Sequence, residues 1–159
     1  LTSAAMPYLN ESEGGFVVMV GSLAGMAPLS GASVYSGTKS GLRAFTLALR
    51  EELANTNTRC AIVSPGPVDT GFIMKNLRTV DDIVFSQPMS TADEVAAAVK
   101  DLVEGERAEI AMPRLSGALA SLGAFLPMLR RLLRPVLSAL GRKNKRKYLK
   151  RRRSFRPEE

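Results

Sequence analysis

Three side chains have the types and spacing for proton-transfer chemistry that needs no histidine: Ser22, Tyr35 and Lys39. Tyr35 and Lys39 are four apart at the start of a stretch with helical periodicity, so they lie on one helix face, one above the other. Ser22 precedes Tyr35 by thirteen residues and stands just past the apolar run Phe16-Val17-Val18-Met19-Val20. A free phenol ionises near pH ~10. An ammonium held beside it favours the phenolate and draws that value toward neutrality. The pair is then a usable general acid/base. Taken singly, a helical tyrosine and lysine are as a rule a packed ring and a solvated charge, and a serine after a strand is usually a loop residue or a cap. The argument therefore rests on what surrounds them.

Phe16–Val20 is short, continuous and β-branched, the pattern of a strand buried on both faces in a parallel sheet. Gly21-Ser22 ends it, and a loop rich in Gly, Ala, Ser and Pro runs to about Gly31. Residues 33–55 read as a helix, with Val34, Leu42, Phe45, Leu49 and Leu53 on one face and Arg50, Glu51 and Glu52 on the other. Gly37 and Gly41 on that helix suggest close packing against a neighbour, another subunit included. A second buried strand is expected at 59–63, with Cys60 as a small core residue, and Pro65 and Pro67 must end it. Thr91-Ala92-Asp93-Glu94 is a capping box ahead of Val95, Val99, Leu102 and Val103. A third strand, Glu109–Met112, stops at Pro113. Upstream, 1–9 reads as the last turns of a helix broken near Pro7. Ligands bind at the carboxyl ends of strands in such alternating α/β sheets, which is where Ser22 falls.

Composition removes several classes. The 159 residues contain no histidine and one cysteine, which excludes Ser-His-Asp and Cys-His catalysis, imidazole metal sites, an internal disulfide and Cys-rich zinc sites. The formal charge of +7 divides unevenly, −4 over residues 1–129 and +11 over 130–159. No basic n-region followed by an apolar core and a cleavage site is visible, so the expectation is a cytoplasmic chain.

The residues Gly21-Ser22, Tyr35-Ser36-Gly37-Thr38-Lys39 and Pro65-Gly66-Pro67-Val68-Asp69-Thr70 together resemble the short-chain dehydrogenase/reductase family, over roughly 1–113. The resemblance implies the C-terminal part of a Rossmann-type doubly wound parallel sheet and an NAD(P)-dependent oxidoreductase, with NAD or NADP as cofactor. Tyr35 would give a proton to, or take one from, the oxygen of a carbonyl/alcohol pair. Lys39 would lower the phenol pKa and bond the nicotinamide ribose, and Ser22 would hold the substrate oxygen. Pro65, Gly66 and Val68 would meet the carboxamide, with Thr70 against the cofactor. Hydride chemistry belongs to the cofactor. The family's Gly-rich nucleotide turn and catalytic asparagine are not found ahead of this stretch, so the resemblance implies a C-terminal half that does not bind cofactor alone. A homo-oligomer is expected of the full-length form. The segment 71–87, with Phe72, Ile73, Met74, Ile83, Val84 and Phe85, reads equally as a lid over an apolar substrate and as a surface loop with apolar anchors.

Three regions follow: a catalytic region at 1–113, an apolar and amphipathic helical segment at 114–141, and a basic tail at 142–159 read as disordered or a frayed helix. Leu115–Leu129 is uncharged but broken by Gly117, Gly123 and Pro127, and is shorter than the roughly 20 residues a spanning helix needs. Arg130, Arg131 and Arg134 alternate with Leu129, Leu132, Leu133, Val136 and Leu137, the pattern of an interfacial helix. The cations of 142–153 beside it point to an anionic membrane surface. The rival reading covers a substrate pocket or subunit interface with the apolar stretch. Nucleic-acid binding is the weakest alternative, since Tyr148 and Phe155 offer little for base stacking. A non-catalytic interaction or membrane-docking protein that keeps the fold is the alternative to an enzyme.

Overall fold

A computed structural model describes residues 2–11 and 14–154. Its centre is a parallel three-stranded sheet in the order β1-β2-β3, formed by β1 (Gly15–Val20), β2 (Thr58–Pro65) and β3 (Glu109–Met112). Val18 pairs with Ala61 and Val63 with Ile110, so Phe16, Val18, Ala61, Val63, Ile110 and Met112 share one face. Helix α4 (Ala92–Glu104) covers that face, placing Ala98 and Leu102 in a cluster with Ala61, Val63 and Ile110. Burying each such side chain contributes about 1.5–3 kcal/mol relative to exposure. The capping box holds: the Glu94 amide donates to Thr91 Oγ1 at 3.1 Å and the Thr91 amide to Glu94 Oε2 at 2.8 Å.

Helix α2 (Ser33–Glu52) covers the opposite face, in an orientation that differs from its apolar periodicity. Val34 and Phe45 are 79% and 48% exposed, while the buried residues are Ser36 and Thr46. Arg50 turns inward and donates to the carbonyls of Cys60 (3.0 Å) and Glu106 (2.7 Å), so its expected place on the outer face is corrected. The reason is that backbone carbonyls within β2 and ahead of β3 take donors from α2, and long cationic side chains bury their stems while reaching them. Gly37 and Gly41 have no close neighbour within the described residues. Cys60 is fully buried, as expected.

Helix α1 (Thr2–Glu11) is not broken at Pro7, which lies inside it as its sixth residue and removes one intrahelical amide donor. Leu1, the first residue of that expected element, and Phe155 lie outside the described residues. The segment after β2 holds a short helix, α3 (Gly71–Lys75), and a 3-10 turn, Asp82–Ser86. Beyond β3 come α5 (Arg114–Phe125), which continues through Gly117 and Gly123, and α6 (Pro127–Ser154). Residues 142–154 thus continue α6, where a disordered stretch or a frayed helix is expected from the sequence. Its inner face is docked on the 71–87 segment, which supplies the contacts that a run of cations alone does not provide. Among the described residues no helix is long and apolar enough to cross a membrane.

Candidate active site

The ends of β1 and β2 lie side by side, because Val20 pairs with Val63 and the Gly21 amide donates to the Val63 carbonyl at 2.7 Å. The two loops that leave them, Gly21-Ser22 and Pro65–Thr70, therefore open at the same edge of the sheet. Ser22 caps a 3-10 turn (Leu23–Gly25), its Oγ accepting from the Ala24 amide at 3.2 Å. That turn is fastened to α2 by two hydroxyls. Ser36 Oγ accepts from the Leu29 amide at 3.0 Å, and Ser40 Oγ donates to the Gly25 carbonyl at 3.0 Å. Gly25 lies so close to α2 that a Cβ there would stand 2.6 Å from the Lys39 carbonyl oxygen, an approach only glycine permits.

This docking sets the positions of Tyr35 and Lys39. Lys39 Nζ donates to the Val20 carbonyl at 2.8 Å, at the carboxyl end of β1, and lies 5.9 Å from the centroid of the Tyr35 ring. Tyr35 is 36% exposed, with its backbone carbonyl accepting from Thr38 Oγ1 at 2.8 Å. The ammonium is thus anchored by backbone beside the phenol.

The Pro65–Thr70 loop is tied on two sides. The Gly66 amide donates to the Met112 carbonyl at 2.7 Å; Ser90 takes the other side, accepting from Asp69 at 2.8 Å and donating to Pro67 at 2.9 Å. Val68 bridges Ser90 in parallel fashion. Thr70 is exposed and caps no helix amide; its hydroxyl donates a long bond to the Val68 carbonyl at 3.5 Å. Ser22, Tyr35, Lys39 and this loop thus border one strand edge.

Several positioning groups have no obvious mark in the sequence. Arg43, one helical turn after Lys39, grips Glu109 of β3 through Nε (2.9 Å) and Nη2 (2.7 Å), and Ser64 Oγ donates to the same carboxylate at 2.8 Å. The hydrogen bond to Glu109 raises the Arg43 pKa further above its ordinary value. Ser36 and Ser40 directly follow Tyr35 and Lys39, but adjacency alone does not mark them as anchors of the 22–30 loop. The lid region, too, is more firmly held than its composition suggests. Phe85 and Leu77 are fully buried, and α6 clasps the segment. Lys145 Nζ donates to the carbonyl of Val80 (2.6 Å) and to Asp82 Oδ1 (3.1 Å), and Asn144 Nδ2 to the carbonyl of Phe85 (3.0 Å). Tyr148 meets the Phe85 ring at 6.1 Å between centroids. A side chain at Gly141 would collide with the Asp82 carbonyl. Of the apolar residues named for the 71–87 segment, Phe85 is thus a buried anchor, while Phe72 is 66% exposed.

The family profile of the short chain dehydrogenases matches residues 1–81, which include the serine, the Tyr-x-x-x-Lys pair and the Pro-Gly loop. The chain belongs to the short-chain dehydrogenase family. It is 43% identical over 72 residues to the NADP-dependent 3-hydroxy acid dehydrogenase of Schizosaccharomyces pombe, covering 45% of this chain and 28% of that protein. To the ketoacyl reductase HetN of Nostoc sp. it is 35% identical over 103 residues, 64% of this chain and 36% of that protein. A crystal structure of a short chain dehydrogenase from Burkholderia cenocepacia in complex with NADP superposes with a TM-score of 0.65 at 28% identity, covering 85% of this chain and 53% of that one. The matches thus span about a quarter to a half of the relatives' lengths, and the Rossmann-type reading of the sheet holds.

Proposed function

We propose that this short-chain dehydrogenase chain supplies the proton-transfer side of an NAD(P)-dependent oxidoreductase acting on a carbonyl/alcohol pair of a fairly apolar substrate. The observation that carries the reading is the anchored ammonium, with Lys39 Nζ on the Val20 carbonyl at 2.8 Å and 5.9 Å from the Tyr35 ring. Tyr35 donates its phenolic proton to the substrate oxygen in reduction and takes it back in oxidation. Lys39 stabilises the phenolate left behind. Ser22 holds the substrate oxygen by its hydroxyl.

The donor set suits a nicotinamide cofactor. An ammonium and a phenol at a strand end match ribose hydroxyls, and Gly66, Val68 and Thr70 offer a tied backbone and an exposed hydroxyl for a carboxamide. When bound, that cofactor supplies the hydride. The NADP of the Burkholderia structure and the NADP-dependent Schizosaccharomyces enzyme support this choice. The apolar side chains around Phe72 and Ile73 support an apolar substrate. The exposed α2 face at Val34, Gly37, Gly41 and Phe45 is where we place a second copy.

The test is NADPH oxidation against ketones of increasing chain length, with a relative's nucleotide-binding half fused ahead of Leu1. Turnover that rises with chain length is expected. A fusion that binds no NADPH and turns over no carbonyl would instead support the second reading, a non-catalytic docking protein. That reading is favoured by one observation. Met128, Leu132 and Val136 are 84%, 74% and 66% exposed on α6, ahead of the exposed Lys143, Arg146 and Lys147. Apolar side chains followed by cations fit an anionic membrane surface. Sedimentation with anionic liposomes checks it; equal pelleting with and without 115–159 contradicts the membrane contact.

A further inference from the structure

Away from the Tyr35–Lys39 pair, a cleft of about 400 Å³ opens between the 71–87 segment and α6, lined by Arg78, Asp82, Arg142, Lys145, Arg146 and Leu149. Its charges are unbalanced in a specific way. Asp82, the one carboxylate in the lining, is paired with Lys145 at 3.1 Å, and the same ammonium also reaches the carbonyls of Val80 and Arg78 at 2.6 and 3.4 Å. The lysine and the aspartate thus satisfy one another. The three arginines are left over: among the described residues no carboxylate lies within 4.0 Å of Arg78, Arg142 or Arg146.

Arg142 and Arg146 are four apart and share a face of α6, with Leu149 three residues further along it. Arg78 faces them from the other wall. The walls are held in place, because Lys145, Asn144 and the Phe85–Tyr148 ring contact fasten α6 to the segment. Guanidinium groups present paired N–H donors in a planar fork that matches a phosphate, and repulsion among three unpaired cations is relieved when an anion enters. Leu149 adds one apolar side.

We propose that this cleft binds a phosphate ester whose anionic end is gripped by Arg78, Arg142 and Arg146 while its ester substituent lies against Leu149. The shared chemistry has two sources, a soluble phosphate ester and the headgroup of an anionic phospholipid. The site stands on its own residues and does not depend on the redox reading. None of its members belongs to the proton-transfer constellation, so a failed activity assay leaves it untouched.

The test is calorimetric titration of the full 159-residue chain with pyrophosphate and with glycerol 3-phosphate, at one fixed salt concentration. Saturable one-to-one binding is expected. Exposed Arg142 and Arg146 become Gln in one variant, and Lys143 and Lys147 become Gln in a control with the same spacing and charge change. Circular dichroism confirms equal helix content. The cleft pair weakens binding by about tenfold or more, the control pair by less than about twofold. Arg78→Gln, from the opposite wall, also weakens it. Absence of saturable binding, equal loss in both pairs, or binding indifferent to Arg78→Gln each overturns the proposal. Pelleting with phosphatidylglycerol vesicles then names the source. Loss in the cleft pair assigns a lipid headgroup, and loss in the control pair alone assigns a soluble ester.

Discussion

Helices α2 and α6 both carry cations at helical spacings, four and seven apart on α2 and three and four apart on α6, and the two sets end in different surroundings. On α2, Lys39, Arg43 and Arg50 all turn toward the sheet and end on the Val20 carbonyl, the Glu109 carboxylate and the Cys60 carbonyl. On α6, Lys145 turns inward to the Val80 carbonyl, while Arg142, Lys143, Arg146 and Lys147 stay at the surface. Residue type therefore says little about role. A cation within reach of a strand end or a turn carbonyl becomes part of the scaffold, and one without such an acceptor stays available for a ligand or a surface. In α2 this arrangement brings Lys39 beside Tyr35. In α6 it fastens the segment that follows the Pro-Gly loop.

Substitutions can separate these roles. Lys39→Met should have the largest effect, lowering turnover by about 100-fold or more in the fused enzyme, since positioned acid–base groups contribute 10²–10⁴-fold. Steady-state kinetics read this, with melting temperature and NADPH affinity measured alongside. Arg43→Met leaves the Glu109 carboxylate with the Ser64 hydroxyl in place of a bidentate guanidinium and should destabilise the fold by about 1–3 kcal/mol in urea denaturation. A stability unchanged by that variant would break the claim that α2's inward cations hold the scaffold.

Lys145→Met should cost about 1–2 kcal/mol locally, because the Val80 carbonyl and Asp82 lose their donor. Hydrogen exchange should accelerate by roughly tenfold at the amides of 80–86 and not in β2. Uniform acceleration would make α6 part of one global core and erase the contrast. The smallest effect concerns pH. Burial raises the Cys60 thiol pKa above its ordinary value. The unfolded thiol therefore ionises first. Stability is full below the ordinary thiol range and declines as pH rises through it toward the raised native value. Denaturation midpoints should fall over that window, and Cys60→Ala should flatten the fall.

The strands were legible because β-branched runs bounded by glycine or proline are a strong local signal, and Phe16–Val20 and Glu109–Met112 emerged at their expected places. Thr91–Glu94 was legible for a similar reason, since a capping box is closed within four residues. The orientation of α2 was not, because its buried side chains are Ser36, Thr46 and the stems of Arg43 and Arg50, and the two arginines find their acceptors on β2, on β3 and just ahead of β3. The docking of α6 on the 71–87 segment was not legible on the same grounds. Nothing near Lys145 in the chain announces the carbonyls of Arg78 and Val80. Ser22, Tyr35 and Lys39 could be picked out by spacing, whereas the hydroxyls of Ser36 and Ser40 that seat them acquire meaning only once the 22–30 loop is folded against α2.

The central claim is that Tyr35 moves the proton. The most direct measurement is kcat/KM for NADPH-dependent carbonyl reduction by the fused enzyme, wild type against Tyr35→Phe, with NADPH affinity measured alongside. A fall of about 10²–10⁴-fold with cofactor binding and melting temperature retained is the predicted result. Activity within a few-fold of wild type would contradict it.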